Sequence, residues 1–416
     1  MLIFISVQLG VAQKRKTSEL DSLKKQVLEL SKQVKQLTKQ KAEDDLNQLL
    51  QEANQVASKP AESKNELKEF RSGQRSLQAI NPEISVTGDA FLQEVVNKNG
   101  FSERQRSGTY FRVLGIHFQS NLDPFSLAKV ALEVTPEGIE LGEAYATWTD
   151  VVKNFSLTAG KFRQQFGVIN RWHAHSLDQF DFPLALTTIL GEEGLNQIGF
   201  SIDWLMPPLL ATTNTLTIQI TNGQNAHLFN NKAFGFPVVL GHLKNFYDIN
   251  PNTYIELGIT AMAGYNNFRG YNENGILIKE PDRLTKLGGI DLTYFWEPVN
   301  RAHYHSFVWR SELYYADKEE PLHQHIKAMG GYSYIEYKLN ERWQAGFRYD
   351  VTQPFIFENR HQTIYQLVPY LTWWQSHWVR FRLQYNYKNG NTFTAADRLL
   401  RLQLTWAMGP HKHERY

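Results

Sequence analysis

From Ile84 to Met408 the chain reads as about sixteen short segments in which apolar and polar residues alternate one by one. A period of two sends successive side chains to opposite faces of a strand, so each segment has one oily face and one wet face. The pattern is plainest near the end. Val379, Phe381, Leu383, Tyr385 and Tyr387 share one face, and Arg380, Arg382, Gln384, Asn386 and Lys388 share the other. Leu216, Ile218 and Ile220 repeat it, as do Ile255, Leu257 and Ile259, and the last segment carries Leu400, Leu402, Leu404 and Trp406. Such a chain can close a two-sheet sandwich or a membrane cylinder, and the connections decide between them.

The alternation predicts strands at 82–95, 110–121, 126–134, 140–149, 154–163, 194–206, 214–222, 236–248, 253–264, 284–296, 303–315, 323–338, 342–350, 362–374, 378–388 and 398–408. On one rim the first, third, fourth and fifth gaps run to about 14, 30, 13 and 19 residues, whereas the other rim has turns of about 3 to 7. Short turns on one side and long loops on the other are the signature of an outer-membrane barrel. The expected fold is therefore all-β, a sixteen-stranded antiparallel transmembrane barrel over 82–416, with both ends on the short-turn, periplasmic rim.

Composition agrees. Mean hydropathy is −0.44, and no apolar run approaches the roughly 18 residues of a helical span. Aromatics make up 13% of the chain and gather near strand ends, as at Tyr294, Phe295 and Trp296 and at Trp373 and Trp374, which suits interfacial girdles. There is no cysteine, hence no disulfide or thiolate chemistry. A formal charge of +2 with no basic stripe gives nucleic-acid binding no support.

The first 81 residues differ. Residues 1–12 are apolar and end in Ala12 before Lys14, Arg15 and Lys16, resembling a secretory signal that lacks its usual basic start. Within 13–57, Leu20, Leu23, Val27, Leu30, Val34 and Leu37 are spaced 3-4-3-4-3, the stripe of an α-helical coiled coil that would join copies of the chain. Residues 58–81, with Pro60, Gly73 and many charges, read as a linker.

The chain resembles the phosphate-selective porin family. The likeness rests on the heptads at 20–37, the opening strand Pro82-Glu-Ile-Ser-Val-Thr-Gly-Asp89, Leu157-Thr-Ala-Gly-Lys-Phe162 with Phe166-Gly167, Gly191-Glu-Glu-Gly194 leading into Ile198-Gly-Phe-Ser201, and the terminal strand. It implies a trimeric, sixteen-stranded outer-membrane porin whose long third loop folds inward, with Arg and Lys ladders that replace an anion's hydration shell. The residues themselves show a mixed wall. Strand parity turns Lys129, Arg310, Arg348, Arg380, Arg382 and Arg401 inward, together with Glu133, Glu256, Asp291, Glu312 and Asp350. Arg380 and Arg382, two like charges on one face, point to a water-filled setting, while Arg310 beside Glu312 reads as a cross-strand wall pair.

A connection of about thirty residues is uncommon unless it does something. The third loop brings Arg171, Trp172, His173, His175, Asp178, Asp181, Glu192 and Glu193 to a constriction of mixed charge. Four His-x-His pairs occur, at 173/175, 303/305, 323/325 and 411/413, and His173 and His175 beside Asp178 and Asp181 are the pair that could hold zinc. No cofactor is otherwise expected. Enzyme motifs are absent, and the Gly191–Gly194 acids read as a loop closing onto a strand. The expected function is a passive diffusion channel for small hydrophilic solutes or ions, in contact with outer-membrane lipid and assembled as a homotrimer. Two alternatives stay open: a zinc-linked uptake channel, and a protein tethering the outer membrane to the cell wall through its arm.

Overall fold

The computed structural model describes residues 82–96, 106–229, 237–267, 269–302, 304–321, 324–355 and 362–409. The signal-like segment, the heptad residues Leu20 to Leu37, the linker, and His303, His323, His411 and His413 lie outside the described residues.

The described strands are β1 (Glu83–Val95), β2 (Gly108–Asp123), β3 (Ser126–Thr135), β4 (Gly138–Val152), β5 (Phe155–Arg163), β6 (Asn196–Met206), β7 (Thr213–Thr221), β8 (Val238–Asn250), β9 (Thr253–Tyr265), β10 (Arg269–Glu273), β11 (Ile276–Lys279), β12 (Leu284–Trp296), β13 (Ser306–Glu320), β14 (Gln324–Lys338), β15 (Trp343–Gln353), β16 (Ile364–Ser376), β17 (Val379–Gly390) and β18 (Asp397–Met408). All except β10 and β11 join one antiparallel sheet, which closes on itself where β1 pairs with β18 from Val86↔Met408 to Val95↔Leu399. Closure removes both sheet edges, so every strand finds a ladder partner without water. The order follows the sequence, as alternating short turns and loops require.

Two differences from the predicted strands have local causes. Residues 266–283, expected as one plain loop, carry the separate β10–β11 hairpin, whose turn uses Asn274 at φ 53° and Gly275 at φ 86°. Strand β13 begins at Ser306, not at 303, because a turn precedes it, in which Arg301 N donates to Pro298 O and the Arg301 carbonyl accepts from Tyr304 N and His305 N; it runs on to Glu320. Short alternation cannot show such extensions of a ladder beyond the apolar run.

The two faces sort as the period of two demands. Outside, Phe200, Ile259, Ile290 and Leu313 are exposed, Leu313 to 60%. Inside, Thr260, Arg382, Gln384 and Gln403 are buried. Rings line the short-turn rim: Phe155 on Trp204 (5.5 Å), Phe246 on Tyr254 (5.1 Å), Tyr254 on Phe295 (5.0 Å), Trp343 on Trp373 (6.4 Å) and Trp373 on Phe381 (5.6 Å). Phe155, Trp204, Trp343, Trp373 and Phe381 lie on the outward face, as an aromatic girdle requires, whereas Phe246, Tyr254 and Phe295 share the inward face of Asp291 and Val308; each contact is worth about 0.5–1.5 kcal/mol beyond burial. Among the described residues no helix is long and apolar enough to cross a membrane.

Candidate functional site

The connection from β5 to β6, residues 164–195 (L3), enters the cylinder. It carries 3-10 turns at Ile169–Arg171 and Ala174–Ser176 and the helix α1 (Leu184–Leu190). Its polar groups bond to the inner faces of strands all round the wall, which fixes its place in the lumen.

The entry is held by three elements. The Gln165 backbone N–H donates to Gln219 Oε1 (2.9 Å) on β7. Asn170 staples the loop's two ends, donating from Nδ2 to the carbonyls of Gln164 (2.8 Å) and Leu195 (3.0 Å) and accepting from Leu195 N (2.8 Å). Glu312 on β13 accepts the backbone N–H groups of Val168 (3.1 Å) and Ile169 (3.0 Å) and the hydroxyls of Tyr314 and Tyr332 (both 2.6 Å). So close an approach requires Gly167, which sits at φ 64° with Glu312 where its Cβ would be. Gly194, at φ 66°, makes the same allowance for Asn170. Glu312 is therefore an anchor for L3, and it does not pair with Arg310, which donates to Thr293 (3.0 Å) and Tyr334 (2.7 Å) and lies over the Trp172 ring at 4.6 Å.

Further along, four arginines grip four carbonyls. Arg380 donates to His175 O, Arg382 to Leu177 O (3.1 Å), Arg112 to Phe180 O and Arg348 to Asp181 O (2.7 Å). Arg380 and Arg382 are 4% and 2% exposed, so the water-filled setting expected for them is corrected: their charge is directed at the loop backbone. The Asp178 carboxylate accepts from Tyr334 (2.8 Å). Asp181 accepts from Arg348 (3.2 Å), Gln384 (2.9 Å) and Asn386 (2.9 Å), with Arg401 at 3.6 Å. Burial alone would raise the Asp181 pKa; Arg348 and Arg401 more than offset it and hold the carboxyl below its ordinary range.

On the opposite wall His173 bridges two carboxylates, Nδ1 to Glu133 (3.2 Å) and Nε2 to Glu143 (2.9 Å). Lys129 stands 3.9 Å from Glu143 and Arg163 stands 3.9 Å from Glu133. The rings of His117, His173 and His175 lie 4.9–5.5 Å apart. Both nitrogens of His173 are thus directed at acids, and among the described residues no three His, Asp or Glu side chains are placed to hold a metal ion. The geometry gives no support to the zinc pair expected at His173 and His175.

The apolar side of L3 packs as well. Phe166, Val168, Ile169, Trp172, Leu177 and the α1 residues Ala185, Leu186, Ile189 and Leu190 form one cluster with inward Leu240, Met262, Leu287, Tyr314 and Ala316. Here the inner face of β8, β9, β12 and β13 departs from polar because it belongs to this cluster, which Leu228, Phe229 and Val238 also join, while α1 itself packs against β13, β14 and β15. Of the residues expected at a constriction, Trp172, His173, His175, Asp178 and Asp181 are docked into the wall. Arg171, Glu192 and Glu193 are exposed beyond it, Arg171 reaching Gln165 (2.8 Å). Glu256 is half-buried, and Asp291 is buried over Gly258. Sequence alone missed Arg112, Gln384, Asn386, Tyr334 and Tyr370, whose hydroxyl accepts from Gln179 Nε2 (3.0 Å), as loop anchors; their inward parity was the available signal.

An open space remains beside this plug. It measures about 370 Å³ and lies between L3 residues Phe180 to Thr187 and wall residues Arg112, Gln366, Lys388 and Arg401.

No protein-family model matches the chain. It is 25% identical over 252 residues to an uncharacterized protein of Aquifex aeolicus, a match covering 55% of this chain and 51% of that one, so it spans about half the length of that curated relative. Solved structures share the fold. An anion-selective porin from Comamonas acidovorans aligns with a TM-score of 0.54 at 10% identity, covering 79% of this chain and 99% of that chain. The outer-membrane channel DcaP of Acinetobacter baumannii gives 0.51 at 10%, covering 79% and 96%. OmpT of Vibrio cholerae in its trimer form gives 0.50 at 8%, covering 79% and 99%. The chain has the sixteen-stranded barrel fold of outer-membrane porins. None of these three is described as phosphate-selective.

Proposed function

We propose that the protein is an outer-membrane porin, a passive channel through which small hydrophilic solutes diffuse past L3. The observation that carries this reading is a closed cylinder, apolar outside, whose longest loop is clamped inside it. Membrane lipid would meet exposed Phe200, Ile259 and Leu313, and the outward rings Phe155, Trp204, Trp373 and Phe381 at the short-turn rim would mark one interface. The dense docking of L3 makes it the natural constriction: its wall contacts leave solutes the space beside Phe180 and Asp181. Transport needs no chemistry here, only a hydrated path and a fixed narrow point.

The arm belongs to the same reading. Strands β1 and β18 start and end on the short-turn rim, which in this orientation faces the periplasm. Residues 13–57 would there form a coiled coil through Leu20, Leu23, Val27, Leu30, Val34 and Leu37, joining three copies, with 58–81 as linker. Trimeric relatives of the fold favour that number.

Vesicle swelling tests the proposal. Liposomes holding the refolded full chain should swell in solutions of small sugars, more slowly as solute size rises. Swelling no faster than in protein-free liposomes would contradict it.

A further inference from the structure

We infer that the space beside L3 is a subsite for a solute of no net charge with a flat apolar body and hydrogen-bonding groups, such as an aromatic amide, and not for an inorganic anion. This rests on the porin reading and names its solute class. The cations around the space are already answered. Arg112 lies 3.5 Å from Asp89 and donates to Phe180 O. Arg401 lies 3.6 Å from Asp181 and donates to Gln93 (2.8 Å). Arg348 is held between Asp181 (3.2 Å) and Asp350 (3.1 Å). Lys388 stands opposite Asp397 in the β17–β18 register. Three of these four cations thus lie beside carboxylates and the fourth neighbours Asp397 across the ladder, so an entering anion must compete with an acid at each to replace its hydration shell.

What the space offers instead is the Phe182 ring with apolar neighbours and amides, set beside a Phe180 that is itself only 8% exposed. Arg112 and Arg401 both stack on Phe180, at 4.5 and 4.6 Å from its centroid, and hold it rigid. Phe182, Leu184 and Leu399 continue the apolar lining, and Gln366 and Thr187 supply neutral polar groups. About 370 Å³ is within the range of small-molecule sites. Keeping Asp181 ionised keeps the site neutral.

The test uses the full chain in planar bilayers with N-acetyl-tyrosinamide, an uncharged aromatic amide, against inorganic phosphate at equal concentration. The amide should interrupt the current at least fivefold more often than phosphate, and Gln366→Leu should shorten each interruption at least threefold. Asp181→Asn removes the carboxylate beside Arg401, while Arg348 keeps Asp350, and should make phosphate the stronger blocker. Wild-type block by phosphate equal to or above that by the amide would overturn the inference, as would an unchanged order in D181N. A chain that passes no current would defeat the porin reading. Equilibrium dialysis of the refolded chain against the amide then still reads the subsite, and an absence of saturable binding would refute it.

Discussion

Arg382 on β17 donates through Nη2 to the carbonyl of Leu177, a residue 205 positions earlier, at 3.1 Å. The same guanidinium reaches Thr372 (3.1 Å) and Gln403 (3.0 Å), so all of its hydrogen bonds are to neutral oxygens of the wall and the loop. An arginine bonded through Nε, Nη1 and Nη2 to wall and loop together is a clamp. Its neighbour Arg380 repeats the arrangement two residues along the strand and two residues along L3.

Replacing Arg382 by methionine keeps the volume and removes the clamp. A charged hydrogen bond is worth about 1.5–3 kcal/mol, so L3 should open about tenfold to a hundredfold more often. Single-channel records of Arg382→Met should show that as excess open-channel noise, with the circular dichroism of the barrel unchanged.

Glu312 has the larger effect on stability. Glu312→Ala strands the amides of Val168 and Ile169 and the hydroxyls of Tyr314 and Tyr332, each buried group costing roughly 1–3 kcal/mol when unpaired. A loss of about 4 kcal/mol or more is expected, read as a lowered thermal transition of the refolded protein in detergent.

The barrel was legible in the chain because a strand's period of two and its position between oil and water are local facts. Leu383 and Arg382 declare their faces without help from any distant residue. The site was legible only in part. Asp181 and His173 announced themselves as charged groups in a long loop, but their partners Arg348, Gln384, Glu133 and Glu143 lie on other strands, and no spacing in the sequence couples them. Arg380 and Arg382 looked like free charge because the backbone carbonyls they grip have no signature in the sequence. The inward apolar residues Leu240, Met262 and Leu287 belong to the same class, since the cluster they join with L3, Leu228 and Phe229 is assembled from distant parts of the chain.

Gly167→Ala tests the approach of L3 to the wall. The left-handed backbone at φ 64° costs a non-glycine residue about 1–2 kcal/mol, and the added methyl meets the Glu312 carboxylate. The variant should lose roughly as much thermal stability as Glu312→Ala. A Gly241→Ala control, with no atom near its Cβ and no left-handed backbone, should lose less.

Acid should release the Asp181 anchor late. The folded carboxyl is held below its ordinary value of 3.8, so its contribution is fully present above that value and fades only as pH falls through the lower folded pKa. Interruptions of the current by loop motion should therefore not increase between pH 7 and pH 4 because of Asp181, and should increase below. Asp181→Asn should remove that acid step, which current noise recorded at stepped pH would reveal.

Single-channel conductance of the Arg380→Met/Arg382→Met double variant against wild type weighs the clamped loop most directly. Wild type should give discrete, small steps, and the double variant steps at least twofold larger in a barrel with the same strand content. Equal conductance in the two, or no steps in either, would contradict a lumen narrowed by a loop that these arginines hold.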